Sequence, residues 1–322
     1  MLDTLEAQGF ATINRAYNTV FRPERLSLGL VMPLEAYPNS AVPAMDRHIE
    51  RVQLAEKLGF ASVWLRDVPF NVPSFGDAGQ IFDPFVYLGA LSMTTSQIAL
   101  GVASIVLPLR HPAHVAKAAA SVDALSGGRL LLGVASGDRR EEYPAMGMSF
   151  TDRGKRFRDS MDYIRAMGEG YPSLNNGQGA LSGGMDMLPK PAGSRLPVLI
   201  TGGSQQSPDW VAQNGDGWMT YPRDATSQGR VVADYRARIA ETGGQNKPVM
   251  QSLYVDLVAD ADATPRPIHL GFQSGVNFLR GYLQEVQALG INHVALNLRF
   301  NHADIETTLR CLSDELLPDF SV

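Results

Sequence analysis

The chain has 322 residues, 44% hydrophobic and 19% charged, a balance that excludes a disordered or collagen-like chain and supplies a large core. Its net charge of −5 argues against a nucleic-acid partner, which favours a clustered basic surface. One cysteine, Cys311, excludes an internal disulfide or a thiolate cluster and suits a cytoplasmic location.

Residues 1–25 carry Asp3, Glu6, Arg15 and Arg22 and no apolar run of signal-peptide type, and they are expected to add a helix before the first strand. Leu26–Met32 is the first run of strand character. The amphipathic segment Ala44–Leu58 follows, with Gly59 placed to end a helix. Ala61–Arg66 is the second strand run and Ile98–Ser104 the third. The apolar stretch Ile98–Leu109 is too short to span a bilayer, so no membrane segment is expected. Pro112 opens a helix to about Leu125, and Ser126–Gly127–Gly128 turns the chain into the fourth run, Arg129–Ser136. The segment 168–196 is rich in Gly, Pro, Ser and Asn, as functional or mobile loops are. It reads either as a lid on the catalytic face or as a disordered surface insertion. Pro197–Gly202, Asp216–Tyr221, Val249–Val258 and His293–Phe300 complete eight runs.

Near-continuous apolar strands separated by helices indicate parallel βαβ units. An open doubly wound sheet would carry G-x-G-x-x-G after its first strand, and here Pro33–Leu34–Glu35 follows Met32. The fold class is therefore α/β: a (β/α)8 TIM barrel with an N-terminal helical extension and a long insertion after strand 4. One domain is expected over 1–322.

The sharpest local signal for chemistry is ITGGSQQSPDWVA, Ile200–Ala212. Gly202 and Gly203 let an anion approach the backbone, Ser204 and Ser207 add hydroxyls, and Pro208 opens a helix. This is either a phosphate seat or simply a turn with Ser207 as helix cap. In GVASGDRREEY, Gly133–Tyr143, the small residues Ala135, Ser136 and Gly137 leave room for a flat ligand; Asp138, Arg139, Arg140, Glu141 and Glu142 could hold polar groups, but mixed charge runs of this kind are usually a solvated loop. Ala103 and Ser104 end the third strand. His111 and His114 lack a nearby carboxylate, and no metal site is expected. Arg153 reads as a residue at a helix start, with Thr151 or Asp152 as cap. Asp67, after the second strand, is placed to touch a ligand at the barrel mouth and is the candidate catalytic residue. Tyr221 and Arg223, after the sixth, are candidates for a substrate pocket. Trp64, Phe70, Phe75 and Trp218 could line it but are more typical of core.

The stretch LGVASIVLPLRHPAHVAKAAASVDALSGGRLLLGVASG resembles the luciferase-like monooxygenase family, as do TGGSQQSPDW and AEKLGFASVW. The similarity runs from about Leu26 to Phe300. It implies a flavin-dependent oxidoreductase on a (β/α)8 barrel, binding FMN or the deazaflavin coenzyme F-420, often as a homodimer. Carried over by position, Ala103–Ser104 is a non-proline cis peptide against the flavin ring. Ser136 and Gly137 lie near its pyrimidine edge. Gly202, Gly203, Ser204 and Ser207 hold the phosphate, with Arg153 assisting. The implied activity is FMN-dependent monooxygenation of a small organic substrate, with reduced flavin from a partner reductase. Hydride transfer with a deazaflavin is the alternative, and a non-catalytic flavin carrier a second. Val68 stands where the luciferases carry a histidine that assists the oxygen chemistry, which puts that step in question.

Overall fold

A computed structural model describes residues 9–320. Helix α1 (Arg15–Val20) precedes strand β1 (Ser27–Val31), and α2 (His48–Leu58) leads to β2 (Ser62–Leu65). Next come α3 (Pro84–Thr94), β3 (Ala99–Val106), α4 (Pro112–Leu125) and β4 (Leu130–Ala135). A short α5 (Glu142–Ala145) and α6 (Arg153–Ala166) follow, then a hairpin of β5 (Ser173–Asn176) and β6 (Gly179–Ser182). The chain continues through β7 (Val198–Thr201), α7 (Pro208–Asn214), β8 (Gly217–Thr220), α8 (Ala225–Glu241) and β9 (Val249–Leu257). A second hairpin, β10 (Arg266–Ile268) and β11 (Gly271–Ser274), precedes α9 (Val276–Ala288), β12 (His293–Asn297) and α10 (Ile305–Leu316).

Eight strands close a parallel barrel in the order β1, β2, β3, β4, β7, β8, β9, β12, with β12 pairing back to β1. These are the eight runs read from the sequence. The helix ends obey local chemistry. Gly59 ends α2 at φ 94°, where Cβ would be disfavoured. Pro112 and Pro208 occupy first turns, where no N–H is missed.

Strand alternation builds two cores. Leu28, Val63, Leu100, Leu132, Val198 and Leu253 face outward against the helices. Trp64, Leu131, Leu199, Met219 and Met250 face the barrel axis. Helix α1 seals the N-terminal end of the barrel: Ala16, Tyr17, Val20 and Phe21 are buried against this inner cluster, and the Tyr17 hydroxyl donates to the Asp216 carbonyl at 2.7 Å. The helix expected within residues 1–25 is thus present, while residues 1–8 lie outside the described residues.

The segment 168–196 does not sit on the catalytic face. It follows α6, which has already returned the chain to the far end of the barrel. Its hairpin folds back on the flank, where Asn176 Nδ2 donates to the Asp159 carbonyl at 2.8 Å and Leu174 and Leu181 pack on the outer core. Its end is tied down where Ala192 N–H donates to Asp123 at 2.8 Å and Ser194 N–H to the Ile13 carbonyl at 2.8 Å. The hairpin that does flank the mouth is β10–β11, with β11 paired to the upper half of β9. Among the described residues, no helix is long and apolar enough to cross a membrane.

Candidate active site

Parallel strands all deliver their C-terminal ends to one face, and ligand-binding groups of this fold gather there. On part of the barrel wall the inward positions are small toward that face. Trp64 fills the barrel floor so completely that a Cβ on Gly101 would lie 2.3 Å from its ring. Above it Ala103, Ala135, Thr201 and Ser252 follow inward positions on their strands, leaving an open mouth.

The peptide Ala103–Ser104 is cis, as the resemblance implied. The β3–β4 register shifts between Val102 and Ile105, around that bond. Ser104 Oγ hydrogen-bonds Thr201 Oγ1, which joins the ends of β3 and β7 across the mouth. Next to this wall, the Ser136 carbonyl accepts from the buried Tyr143 hydroxyl. Gly137 has φ 71°, and a Cβ there would sit 2.6 Å from Val106 Cγ1, so only glycine fits.

The turn after β7 has positive φ at Gly202 (53°), Ser204 (44°) and Gln205 (61°). The N–H groups of Gly203, Ser204 and Gln205 donate to nothing among the described residues. Successive free N–H groups in such a turn make an anion-binding concavity. The two serine hydroxyls are used locally. Ser204 Oγ donates to the Thr201 carbonyl at 2.7 Å, and Ser207 Oγ accepts from Trp210 N–H at 3.2 Å as the cap of α7. Both sequence readings of Ser207 therefore meet one residue, and its capping role is the one visible. The start of α6 abuts this turn: Gln206 Nε2 donates to the Gly154 carbonyl at 2.8 Å, and Arg158 Nη2 donates to Gln206 Oε1 at 2.8 Å. Arg153 stacks on Phe150 with its guanidinium carbon 3.7 Å from the ring centroid, and its buried Nε has no partner.

Two expected contacts take another form. Asp67 is not free at the mouth. Its carboxylate receives Arg110 Nε at 2.9 Å, Arg110 Nη2 at 2.7 Å and Val106 N–H at 3.1 Å. A buried carboxylate needs such partners, and Asp67 thereby anchors the loop after β3. Arg223 folds onto its own loop, donating to Thr220 Oγ1 at 2.6 Å and to the Tyr221 carbonyl at 2.9 Å. Tyr221 does face the mouth. Its hydroxyl pKa is raised by burial and by Asp138, while Arg66 opposes the shift. His111 caps α4 through Nδ1, which accepts from Ala113 N–H at 3.2 Å.

The sequence reading left Arg139 and Glu142 in a solvated loop and did not single out Arg66, Asp77 or Arg299, which with them form a heavily charged part of the mouth. Arg66, Arg139 and Arg299 converge on Asp77, with Arg66 Nη1 at 2.6 Å and Arg299 Nη1 at 3.1 Å from its carboxylate. Arg139 Nη2 donates to the Asp77 carbonyl at 2.9 Å. Alternation from Trp64 was the signal that puts Arg66 inside the barrel. Glu142 lies nearby, 2% exposed, with Oε1 unpartnered. Burial pushes its carboxyl up to about 7; Arg139 opposes the shift, and Asp67 and Asp138 add to it.

The family model for luciferase-like monooxygenases matches residues 27–316. The chain belongs to the luciferase-like monooxygenase family. An uncharacterized Mycobacterium tuberculosis protein is 32% identical over 188 residues, covering 53% of this chain and 66% of that relative. The F420-dependent hydroxymycolic acid dehydrogenase of the same organism is 27% identical, covering 69% of this chain and 59% of its own. The oxygenase component of the flavin-dependent trigonelline monooxygenase of Acinetobacter baylyi is 28% identical, covering 53% and 46%. The matched region thus spans less than two thirds of these relatives. The monooxygenase RslO1 of Streptomyces bottropensis superposes with a TM-score of 0.77 over 92% of this chain and 100% of its own; at 18% identity it shows the shared fold. Relatives in this family of oxidoreductases therefore include both flavin-dependent and F420-dependent enzymes.

Proposed function

We propose that this luciferase-like protein is a flavin-dependent oxidoreductase, in first place an FMN-dependent monooxygenase supplied with reduced flavin by a partner reductase. The observation that carries the reading is the pairing of two features on one barrel face: the open N–H turn at Gly203–Gln205 and the partnerless Arg153 Nε beside it. A phosphate seated on the turn would satisfy its N–H groups and lie close to the Arg153 charge at the start of α6. A flat ring extending from that seat would meet Ala103, Ser104, Ser136 and Gly137. FMN bound there would supply the redox chemistry, and the protein would supply orientation and a water-poor site. Ser104 and Thr201 hold the ring wall in place. Tyr221, with its raised pKa, stays protonated at neutral pH and can donate a hydrogen bond to a ligand.

One observation favours the deazaflavin reading. Val68 is apolar where the luciferases carry histidine, so the chain offers no imidazole at that point for oxygen chemistry. Hydride transfer with coenzyme F-420 needs no such group and would use the same seat. Releasing the chromophore from purified protein by denaturation and weighing it separates the readings. FMN supports monooxygenation; a deazaflavin moves the assignment to hydride transfer. Failure to bind either, even when added in excess, overturns both.

The seat itself has a sharper test. A Cβ at Gly203 would meet only the Gln206 carbonyl, 3.7 Å away, so a side chain there points into open space. Gly203→Val should fold normally and occupy the phosphate position. FMN affinity should fall at least about tenfold, the equivalent of one charge-assisted hydrogen bond. Unchanged affinity would place the phosphate elsewhere.

A further inference from the structure

Arg66 stands apart from the other arginines of the mouth. Arg299 spends Nη2 on the carbonyls of Ser40 and Gly76 and stacks between Tyr37 and Phe300, 4.9 and 5.2 Å from their ring centroids. Arg139 packs over Phe75 at 4.7 Å. Both act as struts for the loop after β2. Arg66 gives only Nη1 to Asp77; its Nε and Nη2 have no acceptor among the described residues, and its side chain is 24% exposed. Burial acts to lower its pKa, and Asp77, Tyr254 and Tyr37 reverse that into a net rise, so it remains a full cation.

The charges around it do not cancel. Asp77 already carries two guanidinium groups, and its pKa is low; burial opposes this, and Arg66, the Gly79 N–H and Arg299 outweigh it. The other facing carboxylates are Asp138, exposed on the loop after β4, and Glu142, buried with its pKa pushed up to about 7. Three arginines thus meet one committed carboxylate, and the Nε–Nη2 edge of Arg66, an inward residue at the end of β2, keeps its donors free among the described residues. Tyr254, inward-facing on β9, has a hydroxyl without a partner among the described residues, and it sits against His269 and Phe300 with ring centroids 5.4 and 5.2 Å away. Tyr221, the next inward position after Met219 at the end of β8, enters the same mouth beside β9, following the β8–β9 register. A planar guanidinium edge in a mouth that also holds two phenol rings matches a carboxylate on a flat organic body, because guanidinium and carboxylate pair through two parallel hydrogen bonds.

We propose that Arg66, Tyr254 and Tyr221 form a substrate subsite for the carboxylate of a small, flat organic acid. The subsite lies by Ala103: both it and Arg66 are one step past Leu65↔Val102, the last pair of the β2–β3 register, and so beside the ring wall. As a statement about substrate it rests on the flavin-oxidoreductase reading; as a statement about anion binding it stands alone.

Calorimetric titration of the full chain with benzoate, benzamide and inorganic phosphate tests it. Benzoate should bind at least about tenfold more tightly than benzamide, the equivalent of one charge-assisted pair. Arg66→Met should remove that preference and leave benzamide unchanged, while Arg66→Lys keeps the charge, loses the fork and should fall between. Tyr254→Phe does not touch Asp77 and should also weaken benzoate, so it decides the matter if Arg66→Met does not fold. Equal binding of benzoate and benzamide, benzoate binding indifferent to both variants, or Arg66-dependent binding of phosphate without benzoate would each overturn the proposal. FMN titrated into the same samples keeps the two readings apart. Bound FMN without benzoate sinks this subsite alone. Bound benzoate without FMN sinks the FMN reading and upholds the anion site.

Discussion

Single residues at the mouth carry chemistry that their sequence context hides. Asp67 was legible as a carboxylate at a strand end. Its partner Arg110 was not, because they are 43 positions apart and meet only through the fold. The Asp67 side chain is 2% exposed, so Asp67→Asn would strand Arg110 opposite a neutral amide. The expected loss is about 3 kcal/mol in denaturant unfolding, and Asp67→Asn with Arg110→Met should recover part of it. Equal losses in single and double variants would refute the anchoring role. Glu142 makes a pH-dependent prediction. Its carboxyl titrates near 7 when folded against 4.5 for the free group, so the folded protein holds a proton that the unfolded chain releases. Its contribution is therefore full below about pH 4.5 and lost as pH rises through about 7. Arg139 softens this loss, and Asp67 and Asp138 deepen it. The melting temperature of the wild type should fall more steeply than that of Glu142→Gln between pH 5 and 7.5. Parallel curves would show that Glu142 ionises normally.

At the scale of elements, periodicity gave the eight barrel strands because each must bury an outward row against helices. The same rule did not reveal the inner row as a functional surface. Small residues such as Ala103 and Ala135 read as room for a flat ligand, but that they line one common wall shows only when the barrel closes around them. Nor could composition place the 168–196 hairpin, because Gly and Pro mark a turn without saying which end of the barrel it serves. Its position follows from element order, since a segment after a barrel helix lies away from the mouth. The short helix α1 is a case where burial exceeds sequence signal. Only six residues long, it covers the inner core and a polar knot beneath Trp64. In that knot His293 Nδ1 lies 2.7 Å from Ser27 Oγ, which itself donates to the Val20 carbonyl, so the imidazole carries its proton on Nδ1. Nε2 then accepts from Trp64 Nε1 at 2.9 Å. Burial pulls the His293 pKa down to about 3, which keeps it neutral. Tyr17→Ala would open this seal and should cost about 3 kcal/mol by denaturant unfolding. A loss under about 1 kcal/mol, the worth of its hydrogen bond alone, would show that α1 does not support the barrel.

On the flank of the whole molecule, helix α3 carries an exposed apolar stripe of the kind that marks contact surfaces. Helix α3 reads PFVYLGALSMT, with no charged residue on any side. A helix apolar all round belongs in an interior. Tyr87, Leu88 and Leu91 of α3 are buried against the barrel, whereas Val86 is 74% and Met93 73% exposed. These two lie seven positions apart, on one face, with Ala90 exposed between them and Ile81 and Phe82 exposed just before the helix. The small residues Gly89 and Ala90 would let a second helix approach closely. A twofold pairing of α3 with its copy would cover the stripe with itself, the usual geometry of homodimers. It would also leave both barrel mouths free, because the stripe is on the flank and the strand C-termini are not. The sequence carried this hint in the missing charges of α3, but only the fold shows which side the barrel leaves bare. Val86→Glu with Met93→Glu puts like charges on both sides of such an interface. Light scattering after size exclusion should show the wild type at twice the chain mass and the double variant at the chain mass. Cofactor binding should persist in the variant, since no mouth residue is altered. A wild type already at the chain mass, or a variant that stays at twice it, would remove α3 as the dimer contact.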